Sequence, residues 1–160
     1  MVPIALVPAL VAAGSPYLPG AQLRHILVPD PDPLLNARNR TYEITVPTAP
    51  ADSAPLPVLF YFHGQSSDLA GSRGFAELGE ASGQYVTVAP KGLSEGIADA
   101  AAWEVGAEGR TDVCANGTEA VIFPSCIKAG RVSRCNWATC HSDLAFVKLL
   151  LDEVRRDCSR

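Results

Sequence analysis

The chain has 160 residues, 13 basic against 17 acidic, and a formal net charge of −4. Its hydrophobic fraction of 48% and charged fraction of 19% are ordinary for one globular domain and unlike those of a disordered chain. The acidic balance argues against electrostatic binding of nucleic acid, and no apolar stretch reaches the roughly 18 residues that a membrane span requires.

The first 37 residues are irregular in pattern. The apolar run from Ile4 to Ala13 has the length of a signal-peptide core and is followed by small residues, but it lacks a basic start and contains Pro8. A cleaved signal peptide and a disordered leader both remain open. Five prolines between residues 16 and 36 predict an irregular arm, in which we assign no role to His25. We therefore divide the chain into a leader and arm (1–37) and a folded domain (38–160).

Regular structure is predicted from Arg40 to Val46, where apolar and polar residues alternate as in a half-buried strand. The continuous apolar run 58–62 ends at His63-Gly64 and predicts a strand buried on both faces, as in a parallel sheet. Residues 72–83 predict a helix with Phe75, Leu78 and Ala81 or Ser82 on its buried face, and 84–90 predict the next strand. This strand, helix and strand have the size of a βαβ crossover of about 30 residues.

The second half of the domain combines a long loop with a helix. Residues 91–140 are rich in glycine and contain four of the five cysteines, which indicates a loop tied by disulfides. A helix is predicted from Ser142 or Asp143 to about residue 157. Its apolar stripe comprises Leu144, Val147, Leu150, Leu151 and Val154. Asp143, although close to His141, is interpreted as a helix cap.

The cysteines and two glycosylation sequons favour a secreted, oxidising setting. The sequons begin at Asn39 and Asn116. No C-x2-C pair is present, so we expect disulfides and neither a metal nor a cofactor. Cys114–Cys126 with Cys135–Cys140 is the simplest pairing, although four cysteines allow three. Cys158 is then left over.

A literal G-x-S-x-G motif occurs from Gly92 to Gly96, after a strand. In many hydrolases this motif holds a nucleophilic serine on a strand-to-helix turn, which makes Ser94 a weak candidate nucleophile. Pro90 and Lys91 separate the strand from the motif, and no Asp-bearing strand precedes the later His141. A glycine-rich loop is therefore the favoured interpretation.

Taken in order, these segments resemble the N-terminal half of a secreted esterase of the polyhydroxybutyrate depolymerase and feruloyl esterase type. The resemblance covers about residues 38–158. Its segments are the 40–46 strand, Pro57 to Gly64, Val86 to Gly92, Trp103, the Cys135–Cys140 loop and 143–147.

The resemblance implies a partial α/β-hydrolase fold with a mostly parallel sheet, and hydrolysis of a polyester or feruloylated polysaccharide by a Ser-His-Asp triad. It assigns Gly64 and Gln65 as backbone donors to the oxyanion. In the family the nucleophile elbow follows the helix that here ends near residue 157. We therefore expect an incomplete chain that is inactive alone, with an open sheet edge beside the His63-Gly64 strand. The alternative is a secreted, disulfide-stapled binding module on a remnant hydrolase scaffold.

Overall fold

The computed structural model describes residues 5–11, 18–48, 56–64, 67, 69–97, 101–104, 123–130 and 139–158. Within them lie five strands, β1 (Ala5–Val11), β2 (Gly20–Val28), β3 (Arg38–Val46), β4 (Leu56–Phe60) and β5 (Val86–Pro90). A short 3-10 turn at Leu69–Ser72 leads into helix α1 (Arg73–Ser82). Helices α2 (Pro124–Lys128) and α3 (Asp143–Cys158) follow β5.

The strands form one mixed sheet in the order β1-β4-β5-β3-β2. Among the five described strands only β4 and β5 pair in parallel, with Val58 beside Val86 and Phe60 beside Val88. The crossover predicted between these two strands is thus confirmed. The pairs β1–β4, β3–β5 and β2–β3 are all antiparallel.

The predicted fold class is therefore wrong: this is not a mostly parallel α/β-hydrolase sheet. The apolar run of β4 indicated burial, and a buried strand can have a partner of either direction. The residues preceding β3 were the source of the error. They were predicted to be an irregular arm, yet residues 20–28 form β2 and pair with β3 along its whole length.

The open edge predicted beside β4 is also wrong. Strand β1 pairs with it, with Ala5 opposite Phe60 and Val7 opposite Val58. The residues of β1 belong to the apolar run that is the candidate signal peptide, and cleavage of that run stays a prediction. In the structure β1 supplies hydrogen-bond partners for the backbone of β4 on the side away from β5.

Helix α3 covers one face of the sheet, as the sequence predicted. Ser142 caps it, since its side-chain oxygen accepts a hydrogen bond from the N–H of Ala145 at 3.2 Å. The predicted stripe is only partly right. Phe146, Leu150 and Val154 are buried against the sheet, whereas Leu144 is exposed. Phe146 replaces Leu144 because spacings of four residues keep the buried side chains on one line of the helix.

The sheet side chains beneath α3 form the main core. They alternate along the strands and comprise Tyr42, Ile44, Val46, Val58, Phe60, Val86 and Val88, with Ile26 and Val28 of β2. The phenol of Tyr42 reaches past this core and donates to the carboxylate of Glu153 on α3 at 2.8 Å.

Helix α1 covers the opposite face, but not with the side chains predicted. Ala76 and Gly79 are buried and Leu78 is exposed. The ring of Tyr85 lies against Gly79, where an added Cβ would stand 2.8 Å from a ring carbon. Because α1 packs through small residues, apolar periodicity did not mark its buried face. The helix ends at Gly83 with φ 64°, the left-handed cap that glycine favours.

Because of Tyr85, the free energy of unfolding should fall at alkaline pH. Its hydroxyl donates to the carbonyl of Phe75 at 2.8 Å, and burial raises its pKa above the ordinary value of 10.0. The folded state therefore keeps the proton longer than the unfolded state, so stability is complete below pH 10 and falls above it. We expect Tyr85→Phe to remove this decline and to lower stability at pH 7 by about 1 kcal/mol. Urea unfolding of wild type and variant between neutral and alkaline pH measures both effects. An equal alkaline decline in the variant would show that Tyr85 does not cause it.

Candidate functional site

Polar contacts concentrate at the edge of the sheet where β4 and β5 end. His63 and Gly64 follow β4, and Lys91 and Gly92 follow β5. Because β3 runs antiparallel to β5, its first residues lie at the same edge, as does the start of the segment after β2. Carboxyl ends of neighbouring parallel strands are where open sheets bind ligands. This edge is the candidate functional site.

His63 joins the exits of the two parallel strands. Its Nδ1 lies 2.7 Å from the carbonyl oxygen of Gly64, and its Nε2 accepts the N–H of Gly92 at 2.9 Å. A carbonyl can only accept, so Nδ1 carries the proton and the ring is neutral. Both ring nitrogens are thus occupied, and His63 holds the turn in place.

Trp103 packs against the residues that follow β4. Its indole N–H donates to the carbonyl of His63 at 2.9 Å, and its ring stands 5.0 Å from the imidazole and 5.5 Å from the ring of Phe62. Trp103 was part of the resemblance, and no sequence pattern indicated this contact. Gly64 itself remains exposed.

The G-x-S-x-G segment forms a tight turn. The N–H of Ile97 donates to the carbonyl of Ser94 at 2.8 Å, and Glu95 and Gly96 have φ values of 50° and 85°. Leu93 pairs with Ala102 in an isolated antiparallel bridge. The structure thus has a glycine-rich turn at these residues; a nucleophilic role for Ser94 stays a prediction.

Gly92 is the point where this segment meets the backbone of residue 102. An added Cβ would lie 2.7 Å from the carbonyl oxygen of Ala102. Gly92→Ala should therefore force the two segments apart, weaken the bond to His63 and lower stability by about 1–3 kcal/mol. Thermal unfolding tests this, with Gly74→Ala as the control because space there is open. A Gly92→Ala protein as stable as wild type would contradict the close approach.

Arg40 and Asp143 form a buried ion pair beside Trp103. The guanidinium lies 2.5 Å from the carboxylate, with side-chain exposures of 1% and 6%. Arg40 also stacks on Phe146, its guanidinium carbon 4.3 Å from the ring centre. The second oxygen of Asp143 accepts the N–H of Glu104, which attaches the 101–104 segment to the start of α3.

Burial dominates the electrostatics of this pair. It raises the pKa of Asp143 above 3.8, against the lowering effect of Arg40 and of the Glu104 N–H. Burial likewise lowers the pKa of Arg40, against the raising effect of Asp143. Each charge is costly to remove from water, and each partner offsets part of the cost of the other.

A second buried network adjoins the first. His141 Nδ1 lies 2.9 Å from a carboxylate oxygen of Asp30, and Arg38 Nε donates to His141 Nε2 at 3.0 Å. The same Asp30 oxygen accepts the N–H of Ser142 at 3.2 Å. An imidazole that accepts at Nε2 and donates at Nδ1 is neutral, so His141 here links the arm after β2 to α3. The arrangement has the Asp-His half of a triad, with an arginine where the serine would stand.

A disulfide fixes the remaining side of the site. Cys126 of α2 is bonded to Cys140, just before α3. This contradicts the simplest predicted pairing, in which Cys126 joined Cys114 and Cys140 joined Cys135. The Ser125 hydroxyl accepts the N–H of Cys140 at 2.9 Å and donates to Glu95, tying the disulfide to the glycine-rich turn.

An open cleft of about 430 Å³ borders the second network. Asp30, Asp32, Glu104 and Ser142 line it, together with Cys140. Asp32 Oδ1 accepts the N–H of Leu34 at 3.0 Å, and its own N–H donates to Asp30. Three carboxylates make the cleft suitable for a cationic group. Across the parts of the chain described above, no group of three or more His, Cys, Asp or Glu side chains is arranged to hold a metal ion.

The sequence-based site residues are only partly placed by the structure. Gly64 lies at the predicted exit, and Asn39 is exposed on β3, where its glycosylation stays a prediction. Gln65, Cys114, Cys135 and Asn116 lie outside the described residues, as does the side chain of Cys158. Sequence reasoning missed Arg40 and Asp30. The sequence did contain a signal for Arg40. It is a charged residue on the same face of the predicted strand as Tyr42 and Ile44, the face expected to be buried.

Comparison with known proteins identifies no relative. The chain matches no family model, no curated protein and no solved structure. Of the helices that the structure describes, none has the length and apolar character needed to cross a bilayer.

Proposed function

We propose that the chain provides the carbonyl-binding side of a serine-type carboxylic ester hydrolase, acting on a polyester or a feruloyl ester. The observation that carries the proposal is the His63 contact to Gly64. The Gly64 carbonyl is held by His63 and also accepts the N–H of Ser67 at 3.2 Å, and it belongs to the planar peptide unit that carries the N–H of residue 65. A fixed amide is what stabilises an oxyanion without reorganisation during the reaction.

The site supports the binding half of this chemistry and not the nucleophile. His63 and His141 use both ring nitrogens in the contacts described, so neither ring offers a free nitrogen to deprotonate a serine in this arrangement. We therefore propose no ester hydrolysis by residues 1–160 alone. Fluorophosphonate labelling of a serine in the pure chain would overturn this part, and labelling of Ser94 would identify it as the nucleophile.

Two substitutions at residue 65 separate the role of its backbone N–H from that of its side chain. Gln65→Pro deletes that backbone N–H, and Gln65→Ala retains it. In the protein as the gene encodes it, assayed with p-nitrophenyl butyrate, methyl ferulate and 3-hydroxybutyrate oligomers, we expect Gln65→Pro to lower kcat by about 100- to 1,000-fold. The alanine variant should keep most of the activity, and thermal unfolding of both verifies the fold. An inactive wild-type product, or an active proline variant, would refute the proposal.

A second candidate is a binding module, favoured by the acidic cleft beside the disulfide. Asp30, Asp32 and Glu104 suit a cationic ligand rather than an ester carbonyl. Titration with an alkylammonium salt, followed by NMR of the backbone amides of Asp30, Asp32 and Leu34, distinguishes the two. Saturable shifts in a protein without esterase activity would favour the binding module.

A further inference from the structure

Strand β2 is the outer strand of the sheet and carries an exposed apolar stripe. Side chains alternate along it, so Leu23, His25 and Leu27 share one face. Leu23 is 57% exposed and Leu27 is 67% exposed. Two exposed leucines and a histidine therefore lie in one line on the outer strand.

Among the residues that the structure describes, none covers this stripe. Helix α1 lies on the same face but reaches only the start of β2, where Ala21 and Thr45 line a groove beneath it. The imidazole of His25 contacts Thr41 on the neighbouring strand at 3.1 Å and remains exposed. The stripe from Leu23 to Leu27 therefore lies beyond the helix.

The edge has few of the devices that usually prevent pairing. Outer strands are commonly protected by charged side chains, proline, a bulge or short length. β2 has nine residues, contains no proline, carries one arginine, Arg24, and pairs with β3 without a register shift. Its backbone is thus a regular template for one more antiparallel strand.

We infer that a second copy of this chain pairs with the first through β2, antiparallel, with His25 on the two-fold axis. In this register Leu23 of one copy stands opposite Leu27 of the other, and the same contact recurs on the far side of the axis. An isologous dimer needs such a self-complementary patch, in which each contact occurs twice. The two sheets join into one.

The neighbouring symmetric register is less favourable. A dimer centred on Arg24 places the two arginines directly opposite each other, which destabilises a strand pair. Centring on His25 instead puts Arg24 opposite Ile26 of the second copy, and Gln22 opposite Val28. The charges thus favour centring on His25 over centring on Arg24, and the His25-centred register also pairs the leucines.

The size of the contact predicts a weak dimer. In this register residues 22–28 of the two copies pair, which makes a strip of seven residues about 24 Å long and one strand wide. Such a strip buries less than the roughly 800 Å² per partner of a stable interface. We therefore expect a rapid monomer–dimer equilibrium with a dissociation constant in the micromolar range.

Sedimentation velocity of residues 1–160 from about 1 µM to about 1 mM spans the range in which an interface of this size dissociates. Wild type should shift from monomer to dimer. Leu23→Glu and Leu27→Lys should each weaken the dimer at least tenfold, because a charge then faces a leucine. The double variant places opposite charges against each other at both contacts and should restore association.

Leu78→Glu is the matched control, because Leu78 is a similarly exposed leucine on α1. It should dimerise like wild type, and circular dichroism verifies that every variant is folded. A wild type that stays monomeric throughout would overturn the inference. So would a folded double variant that associates no better than the single ones, since rescue depends on this register.

Discussion

Arg40→Met should destabilise the protein by about 3–5 kcal/mol, the largest effect we expect from one substitution. The change keeps a long side chain against Phe146 but removes the charge that Asp143 faces at 2.5 Å. A buried carboxylate without its partner retains the cost of leaving water and loses the compensating attraction. Urea unfolding measures this loss. The slope of the free energy of unfolding against urea concentration should stay unchanged, so that only the midpoint shifts.

The double variant Arg40→Met/Asp143→Asn tests the cause. It removes both charges and keeps an acceptor for the N–H of Glu104, so it should recover most of the stability lost in the single variant. Arg73→Met, an exposed arginine on α1, should change stability by no more than about 0.5 kcal/mol. A loss below 1 kcal/mol for Arg40→Met, or no recovery in the double variant, would show that the pair does not hold this edge together.

Loss of the Cys126–Cys140 disulfide should cost about 3 kcal/mol, as expected for a loop of about 15 residues. The double variant Cys126→Ala/Cys140→Ala tests this by urea unfolding under oxidising conditions. Much of the effect arises in the unfolded chain, which gains freedom when the loop opens. We expect the glycine-rich turn to loosen first, since Ser125 connects it to this bridge.

Tryptic mapping without reduction verifies the pairing itself. Residues 111–128 form one tryptic peptide, with Cys114 and Cys126, and residues 135–148 form another, with Cys135 and Cys140. The Cys126–Cys140 bond links the two peptides. Two separate peptides, each with an internal disulfide, would contradict the structure and restore the simplest pairing.

The sequence predicted the elements near β4 better than their partners. The alternation at Tyr42, Ile44 and Val46 correctly predicted the buried face of β3, because side chains two residues apart lie on the same face of a strand. The direction of a neighbouring strand has no such local pattern. The antiparallel partners β1 and β2 were hidden in segments whose prolines suggested irregular structure.

The site was less predictable than the fold, because its contacts join residues far apart in the chain. Asp30 and His141 are separated by 111 residues, and Arg38 and His141 by 103. The spacing of residues along the chain does not show that such distant groups meet in the fold. His63 and Gly64 were found because they follow directly from the end of one apolar strand.

The account depends on the way His63 holds the exit of β4. Nδ1 donates to the carbonyl of Gly64 and Nε2 accepts from the N–H of Gly92, and the proposed oxyanion site depends on this hold on the Gly64 carbonyl. The most direct test is a long-range ¹⁵N–¹H NMR spectrum of the histidine rings at neutral pH, assigned with His63→Gln. We predict a neutral His63 ring protonated at Nδ1. A ring protonated at Nε2, or at both nitrogens, would contradict the account.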